Sequence, residues 1–358
     1  MEDAMSCDGW KKLTVADIVD YVALHGGADA VLATLTQMKR SGDPAKYPQR
    51  TLGHLELLEN KLGESVVDCL LSGEMHAIFM GPNEMVIEPT PTLVYDKNGR
   101  RIPPTGMRSS VCDANYGYYP TRIERLSFAE RLVLAKEAFV DEKLEFVSAE
   151  EFALRINALV QKIEADETVK NVLKGAWYPF CIPAGLGVTA ANYGAKLDKV
   201  LVPTVARAYT KAFPNRPFHN NITGQLAGEV TIWAGSRHER VLEAASKEPV
   251  VGIYFPTALQ GYSINADREQ METLPEMFML AGGLDTLAAM SMYAAELLRD
   301  NKTPCYDMAA LAWRGWSLFC FADGDDAYFY GSQSLDGARG SFAGGLVALS
   351  PASVEAGK

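Results

Sequence analysis

The sequence predicts a mixed α/β fold of the α+β class: a helical N-terminal layer, a mixed sheet containing one parallel βαβ unit, and C-terminal antiparallel strands. Three observations support this prediction. Residues 14–71 show helical periodicity, residues 228–263 alternate between strand and helix patterns, and residues 316–349 contain short apolar and aromatic runs separated by turn residues. Because apolar residues recur every three to four positions in helices and every second position in strands, these patterns distinguish the element types.

The βαβ unit is the central element of this prediction. Its first strand is expected at residues 229–234, its helix at 237–247 and its second strand at 250–255, where Pro256 ends it. About fifteen residues separate the two strands, and a parallel pair needs a crossover of roughly a dozen or more. The two strands are therefore expected to lie side by side and parallel.

The other elements follow from local signals. Ser127 and Ser148 are each followed three residues later by glutamate, which is the capping-box spacing of a helix N-terminus. Asn98-Gly99 indicates a hairpin turn. The remaining expected elements are helices at residues 14–24, 28–39, 52–71, 205–213 and 275–298, strands at residues 76–80, 85–87, 92–95, 200–202, 316–321, 327–330 and 342–349, and a turn at residues 323–326.

A proline- and tyrosine-rich loop suggests a domain boundary near residue 120. Residues 1–120 then form a helical layer with a small β section, and residues 121–350 form the main α/β domain. Residues 351–358 are expected to be a frayed tail, as chain ends without buried contacts usually are.

Composition narrows the function classes. The 358 residues are 48% hydrophobic, and the formal net charge is −11. A general nucleic-acid or anionic-membrane binder needs a basic face, so neither partner is expected. No apolar run approaches the ~20 residues of a membrane-spanning helix. The first residues are acidic where a secretion signal would be positive, so a cytoplasmic protein is expected, and a homo-oligomer is compatible with the sequence.

The cysteines and histidines carry no metal or disulfide motif. The five histidines are dispersed, and no local zinc motif occurs, so no metal site is predicted and the cofactor is unknown. In a chain without a secretion signal, the thiols are expected to be free. The six cysteines are Cys7, Cys69, Cys112, Cys181, Cys305 and Cys320.

The first candidate site follows from the βαβ unit. In parallel sheets, ligands bind beyond the carboxyl ends of the strands, where helix N-termini present free N–H groups. Ser236 would cap the helix, Arg237 would face an anion and His238 would act in catalysis. The alternative is that Ser236 is an ordinary helix cap and that Arg237 is a solvated side chain without a ligand. The residues expected after the second strand are Thr257, Gln260, Tyr262 and Ser263.

Two further candidates lie outside that unit. Arg216, His219 and Asn220 belong to the most basic stretch of an acidic chain, where His219 could serve as an acid–base group and the others as ligand contacts. The alternative is that these side chains only form hydrogen bonds within the turns of their own loop, which is the more common case. Cys181, with His219 or His238 as its base, is a candidate nucleophile, although a lone cysteine among aromatic residues is usually a buried apolar residue.

The sequence favours an enzyme or binding protein for a small polar, anionic molecule. The alternative is a non-catalytic assembly or interaction subunit, whose contact surface would be the aromatic loops and methionine-rich helices. A pocket lined by Arg237, His238 and Gln260 would favour the first function. A large exposed apolar patch would favour the second.

Overall fold

The computed structural model describes residues 13–14, 75–81, 84–89, 92–120, 126–140 and 143–351. The chain divides into two compact units, Met1–Thr92 and Leu93–Lys358. The loop near residue 120, where the sequence suggests a boundary, lies within the second unit. Among the described residues, no helix is long and apolar enough to cross a membrane.

The first unit is described by three strands. These are β1 (Leu13–Thr14), β2 (Met75–Gly81) and β3 (Glu84–Pro89), which form an antiparallel sheet in the order β1-β3-β2. The strands expected at residues 76–80 and 85–87 are confirmed. Of the helices expected at residues 14–24, 28–39 and 52–71, the structure describes Thr14 alone, which lies in β1. The rest of these helices, Cys7, Cys69 and the tail from residue 352 lie outside the described residues.

The second unit contains eight α-helices and ten strands among its described residues. The helices are α1 (Phe128–Phe139), α2 (Ala149–Glu164), α3 (Tyr193–Lys196), α4 (Val202–Ala212), α5 (Glu239–Lys247), α6 (Ile264–Glu269), α7 (Gly283–Met292) and α8 (Ala294–Leu297). The strands are β4 (Tyr178–Ile182), β5 (Phe218–Asn220), β6 (Val230–Ile232), β7 (Val250–Gln260), β8 (Phe278–Leu280), β9 (Cys305–Asp307), β10 (Leu311–Trp313), β11 (Ser317–Asp323), β12 (Asp326–Gln333) and β13 (Phe342–Leu349).

An eight-stranded mixed sheet organises this unit. Its order is β4-β7-β13-β9-β11-β12-β5, and β8 also pairs with β13. Two pairs are parallel, β13 with β9 and β12 with β5, while the others are antiparallel. Helix α7 packs against β4, α1 and α4, and all ten of its residues are buried. The α+β class and the mixed sheet are thus confirmed.

The parallel βαβ unit is not formed. Strand β6 pairs antiparallel with β10 in a separate two-stranded sheet, whereas β7 lies inside the main sheet between β4 and β13. Both edges of β7 are therefore occupied, which leaves no edge for β6. The local pattern identified both strands and the intervening helix correctly, but the hydrogen-bond partner of β6 comes from residues far along the chain.

Strand β7 also continues past Pro256, where the sequence predicts its end. Phe255 pairs with Leu346 and Leu259 pairs with Gly344, so four steps along β7 oppose two along β13. Proline has no N–H to give to the ladder, and a bulge is one of the few places where a strand tolerates it. Residues 256–258 form this bulge, which displaces Thr257 from the regular ladder.

Local signals were reliable elsewhere in the unit. Ser127 and Ser148 cap α1 and α2, each accepting a hydrogen bond from the glutamate N–H three residues on. The turn at residues 323–326 joins β11 to β12. Three further expectations were wrong. Residues 92–95 form no strand and contribute only an isolated bridge between Tyr95 and Arg101. Residues 278–280 form β8, whose backbone pairs with β13, and residues 200–202 are helical.

Gly344 and Gly345 of β13 make room for two buried polar side chains. A Cβ on Gly344 would overlap the carboxyl group of Asp267, and a Cβ on Gly345 would overlap the ring of Tyr254. Consecutive strand residues face opposite sides of a sheet. The glycine pair therefore lets one polar group approach the strand from each face.

Candidate functional site

A cleft of about 620 Å³ opens on the second unit, and we call it the aromatic cleft. Three segments of the chain and the bulged part of β7 form it. This volume lies in the range of roughly 300–1,000 Å³ that is usual for small-molecule sites. Its lining residues are Asn98, Arg100, Tyr116, Tyr118, Tyr119, Pro120, Lys174, Gly175, Ala176, Trp177, Tyr178, Thr257 and Gln260.

A tight turn sets one wall of the aromatic cleft. The Asp96 carboxylate accepts hydrogen bonds from the backbone N–H groups of Asn98 and Arg100, at 2.8 and 2.9 Å. Gly99 has a positive φ of 79°, and a Cβ there would lie 2.7 Å from the Cα of Gly175. Only glycine fits this approach, which packs the turn against the segment that leads into β4.

Arg100 is a cation fixed by the backbone. Its Nε donates to the carbonyl of Gln260 at 2.6 Å, and its Nη2 donates to the carbonyl of Cys112 at 2.5 Å. The guanidinium carbon lies 5.3 Å from the centre of the Tyr262 ring, within reach of a cation–π contact. The charge of Arg100 is therefore held in place before any ligand arrives.

Gln260 holds the tyrosine-rich loop of the cleft. Its side-chain nitrogen donates to the carbonyls of Asn115, Tyr118 and Gly340, at 3.1, 3.2 and 2.8 Å. The side chain is 2% exposed. Because its amide hydrogens are committed to the backbone, Gln260 shapes the cleft rather than extending into it.

The lining of the aromatic cleft is positively charged. Among the described lining residues, the basic side chains are Arg100 and Lys174, and no aspartate or glutamate occurs. Lys174 is exposed, and no hydrogen bond or ion pair joins its ammonium group to another described residue. In a chain with a net charge of −11, this is a local reversal of sign.

Aromatic rings supply most of the remaining surface. Tyr116 and Tyr119 are 54% and 49% exposed, so their rings are accessible to a ligand. Trp177 is partly buried, and Tyr178 forms the buried inner wall, where its ring packs edge-on against Tyr293 with centroids 4.9 Å apart. The cleft thus combines exposed outer rings with a buried inner one.

The residues predicted after the first strand lie elsewhere. Arg237 has a positive φ of 61°, and its side chain holds the loop before β8. The Arg237 guanidinium donates at 3.0 Å to the carbonyls of Met271, Leu274, Pro275 and Phe278. It also forms an ion pair with Glu276, at 3.2 Å. Its four hydrogen bonds are therefore structural, and the predicted anion contact of Arg237 stays a prediction.

His238 and Ser236 are fully buried. The Ser236 hydroxyl accepts from the backbone N–H of His238 at 3.1 Å, so it caps its own turn. The imidazole contacts Tyr193 through Nε2, at 2.7 Å, and faces Asp285 through Nδ1, at 3.7 Å. Burial lowers the pKa of His238 to about 3 and raises the pKa of Asp285 to about 7. This network lies inside the core.

Cys181 and His219 lie at opposite edges of the main sheet. Cys181 is on β4 and His219 is on β5, which are six strand spacings apart, or roughly 29 Å. Burial raises the pKa of the Cys181 thiol to about 12, whereas a nucleophilic cysteine needs a lowered pKa. His219 instead lies 3.2 Å from the Asp326 carboxylate. The predicted Cys181–His219 pair is therefore not formed.

The other predicted contacts fall into two groups. Arg216 pairs with Asp325 at 3.0 Å, and Asn220 donates to Asp198 at 3.4 Å, both near β5. Tyr262 and Ser263 are buried: the tyrosine donates to a backbone carbonyl at 3.0 Å, and the serine caps α6. Thr257 and Gln260 alone among the predicted residues line the aromatic cleft.

Sequence reasoning missed the two cations of the cleft. Arg100 follows the turn signal Asn98-Gly99, and Lys174 precedes an aromatic run, so each had a local marker. No sequence pattern showed that these segments meet. Among the described residues, Cys112, Cys181, Cys305 and Cys320 are free thiols, as the sequence predicts.

The described residues contain no group of three or more histidine, cysteine, aspartate or glutamate side chains arranged to hold a metal ion. Comparison of the chain with protein-family models, curated proteins and solved structures gives no match.

Proposed function

We propose that this chain is a cytoplasmic protein that binds a small anionic molecule in the aromatic cleft. The supporting observation is the charge of the lining: Arg100 and Lys174 with no described carboxylate, in a strongly acidic chain. Clefts lined by one sign of charge concentrate ligands of the opposite sign. The fixed guanidinium and the unpaired ammonium group offer two contacts for one acidic group.

The chemistry of the lining favours binding over catalysis. The described lining residues include no carboxylate, imidazole or thiol, which are the usual acid–base and nucleophilic groups. His238, His219 and Cys181 do not line the cleft. The proposal is therefore a binding protein, with Arg100 and Lys174 as ligand contacts and Gln260 as the residue that positions the loop.

The test is the substitution Lys174→Ala, followed by titration calorimetry with phosphate, sulfate, citrate and acidic sugars. Loss of one exposed ion pair with the ligand should weaken binding about three- to tenfold, and added salt should weaken wild-type binding further. Lys162→Ala is the matched control, since Lys162 is an exposed lysine of α2 outside the cleft. Equal affinities for the two variants, or no binding of any anion to wild type, would refute the proposal.

A further inference from the structure

We infer that the ligand of the aromatic cleft is an acidic sugar, a saccharide that carries a carboxylate. This inference rests on the proposed anion-binding function and names the class of molecule. Three properties of the described lining support it: accessible aromatic rings, hydrogen-bonding groups without protein partners, and a cationic pair with no carboxylate. Each selects a different part of the ligand.

The aromatic rings select a ligand with apolar faces. Tyr116 and Tyr119, about half exposed, and the partly buried Trp177 come from two separate segments of the cleft. Tyrosine and tryptophan offer large rigid contact surfaces that combine an apolar ring with a polar tip. The C–H faces of a pyranose ring pack against such rings, while its hydroxyl groups remain directed to polar neighbours.

The hydrogen-bonding groups select a polyhydroxylated ligand. The side chains of Asn98 and Thr257, and the hydroxyl groups of Tyr116, Tyr118 and Tyr119, make no hydrogen bond to other described residues. A flat aromatic acid would use few of these donors and acceptors. A sugar ring carries hydroxyl groups around its rim and can engage several of them at once.

The cationic pair selects a carboxylate rather than a phosphate. Phosphate groups favour helix N-termini, where free N–H groups converge. The cleft instead meets the C-terminal end of the short 3₁₀ helix Lys170–Lys174. The partial negative charge of a helix C-terminus repels a doubly charged phosphate more strongly than a singly charged carboxylate. A nucleotide is therefore a poorer fit than a sugar with a single acidic group.

The same lining argues against hydrolysis of the sugar. Most glycoside hydrolases need a pair of carboxyl groups on either side of the scissile bond. The described lining of the aromatic cleft contains none. The inferred role is recognition of an acidic saccharide.

The test is calorimetry of the full chain with galacturonic acid oligomers, glucuronic acid and N-acetylneuraminic acid, beside galactobiose and AMP. At least one acidic sugar should bind tenfold or more tightly than galactobiose and AMP. Tyr116→Ala should weaken that binding about fivefold or more, whereas Tyr330→Ala, an exposed tyrosine of β12 outside the cleft, should not. Lys174→Ala should remove most of the preference over galactobiose.

The outcomes separate this inference from the proposed function. If AMP or citrate binds in a Lys174-dependent way and no acidic sugar does, the ligand class is wrong and the anion-binding function stands. Equal binding of galactobiose and acidic sugars would also refute the inference. If no anion binds, both are refuted. Thermal melts of each variant check that it is folded, and a variant that melts early is replaced by Tyr116→Ser or Lys174→Gln.

Discussion

The hydroxyl oxygen of Tyr193 lies 2.7 Å from Nε2 of His238, and both side chains are fully buried. The backbone N–H of Leu284 donates to the same oxygen at 2.8 Å. Among the described residues, His238 is the acceptor in place for the tyrosine hydroxyl hydrogen, so Tyr193 donates to Nε2. The neutral imidazole then holds its own hydrogen on Nδ1, which faces Asp285.

Tyr193→Phe should destabilise the protein. The substitution leaves Nε2 of His238 and the N–H of Leu284 without partners in the core. A buried polar group left unpaired costs roughly 1–3 kcal/mol, so the free energy of unfolding should fall by about 2 kcal/mol or more. Urea denaturation measures it. Tyr116→Phe, at an exposed position, is the control. Equally small changes in the free energy of unfolding of the two variants would contradict the hydrogen-bond network.

Asp285→Asn should alter the pH dependence of stability. Burial raises the pKa of Asp285 from 3.8 to about 7. The folded state favours the protonated carboxyl group. The contribution of Asp285 to the free energy of unfolding is therefore complete below about pH 4 and is lost as the pH rises through 7. Wild type should therefore lose up to roughly 4 kcal/mol relative to the variant across this window. Asparagine keeps the oxygen that accepts from the N–H groups of Gly282 and Thr286.

Urea denaturation of wild type and Asp285→Asn at each pH unit from 4 to 8 measures this difference. Burial also raises the pKa of Asp267 and of Asp307. Burial lowers the pKa of His238, which faces Asp285, to about 3. Both proteins retain all three groups, so subtraction removes their own contributions. Identical pH profiles would show that this carboxyl group does not titrate in the window.

Arg237→Ala should destabilise the ligand-free protein. The variant loses hydrogen bonds to four backbone carbonyls, three before β8 and one on Phe278, the first residue of β8. The free energy of unfolding should fall by at least roughly 1–3 kcal/mol. Arg237→Lys should restore only part of the lost stability, since an ammonium group lacks the planar fork of donors. Arg240→Ala, an exposed partner of Glu276, should cost about 1 kcal/mol or less. A ligand-free Arg237→Ala protein as stable as wild type would instead favour the anion contact expected from the sequence.

Local features of the fold could be predicted because their causes are local. The caps at Ser127 and Ser148 depend on one side chain and a backbone N–H three residues away. The pairing of β6 could not be predicted, because its partner β10 lies some eighty residues later and many apolar strands offer the same hydrogen-bond pattern. The sequence pattern specified the strands of the sheet but not their order.

The candidate site shows the same limit. Thr257 and Gln260 were identified because they follow an apolar strand, although the parallel geometry behind that reasoning is absent. Arg100 and Lys174 were missed because they come from distant segments that meet in the fold, for instance where Gly99 approaches Gly175. The charge of the aromatic cleft is a property of the assembled fold.

The place of β13 in the main sheet bears on how the protein forms during synthesis. This strand follows every other strand of the sheet in sequence, yet it lies between β7 and β9 and pairs with both. Until the ribosome releases residues 342–349, the two halves of the sheet lack the strand that joins them. Such non-local pairing is slow. Strand β7, which bears Thr257 and Gln260, therefore pairs with β13 late. Until then the nascent chain exposes two unpaired strand edges, one on β7 and one on β9.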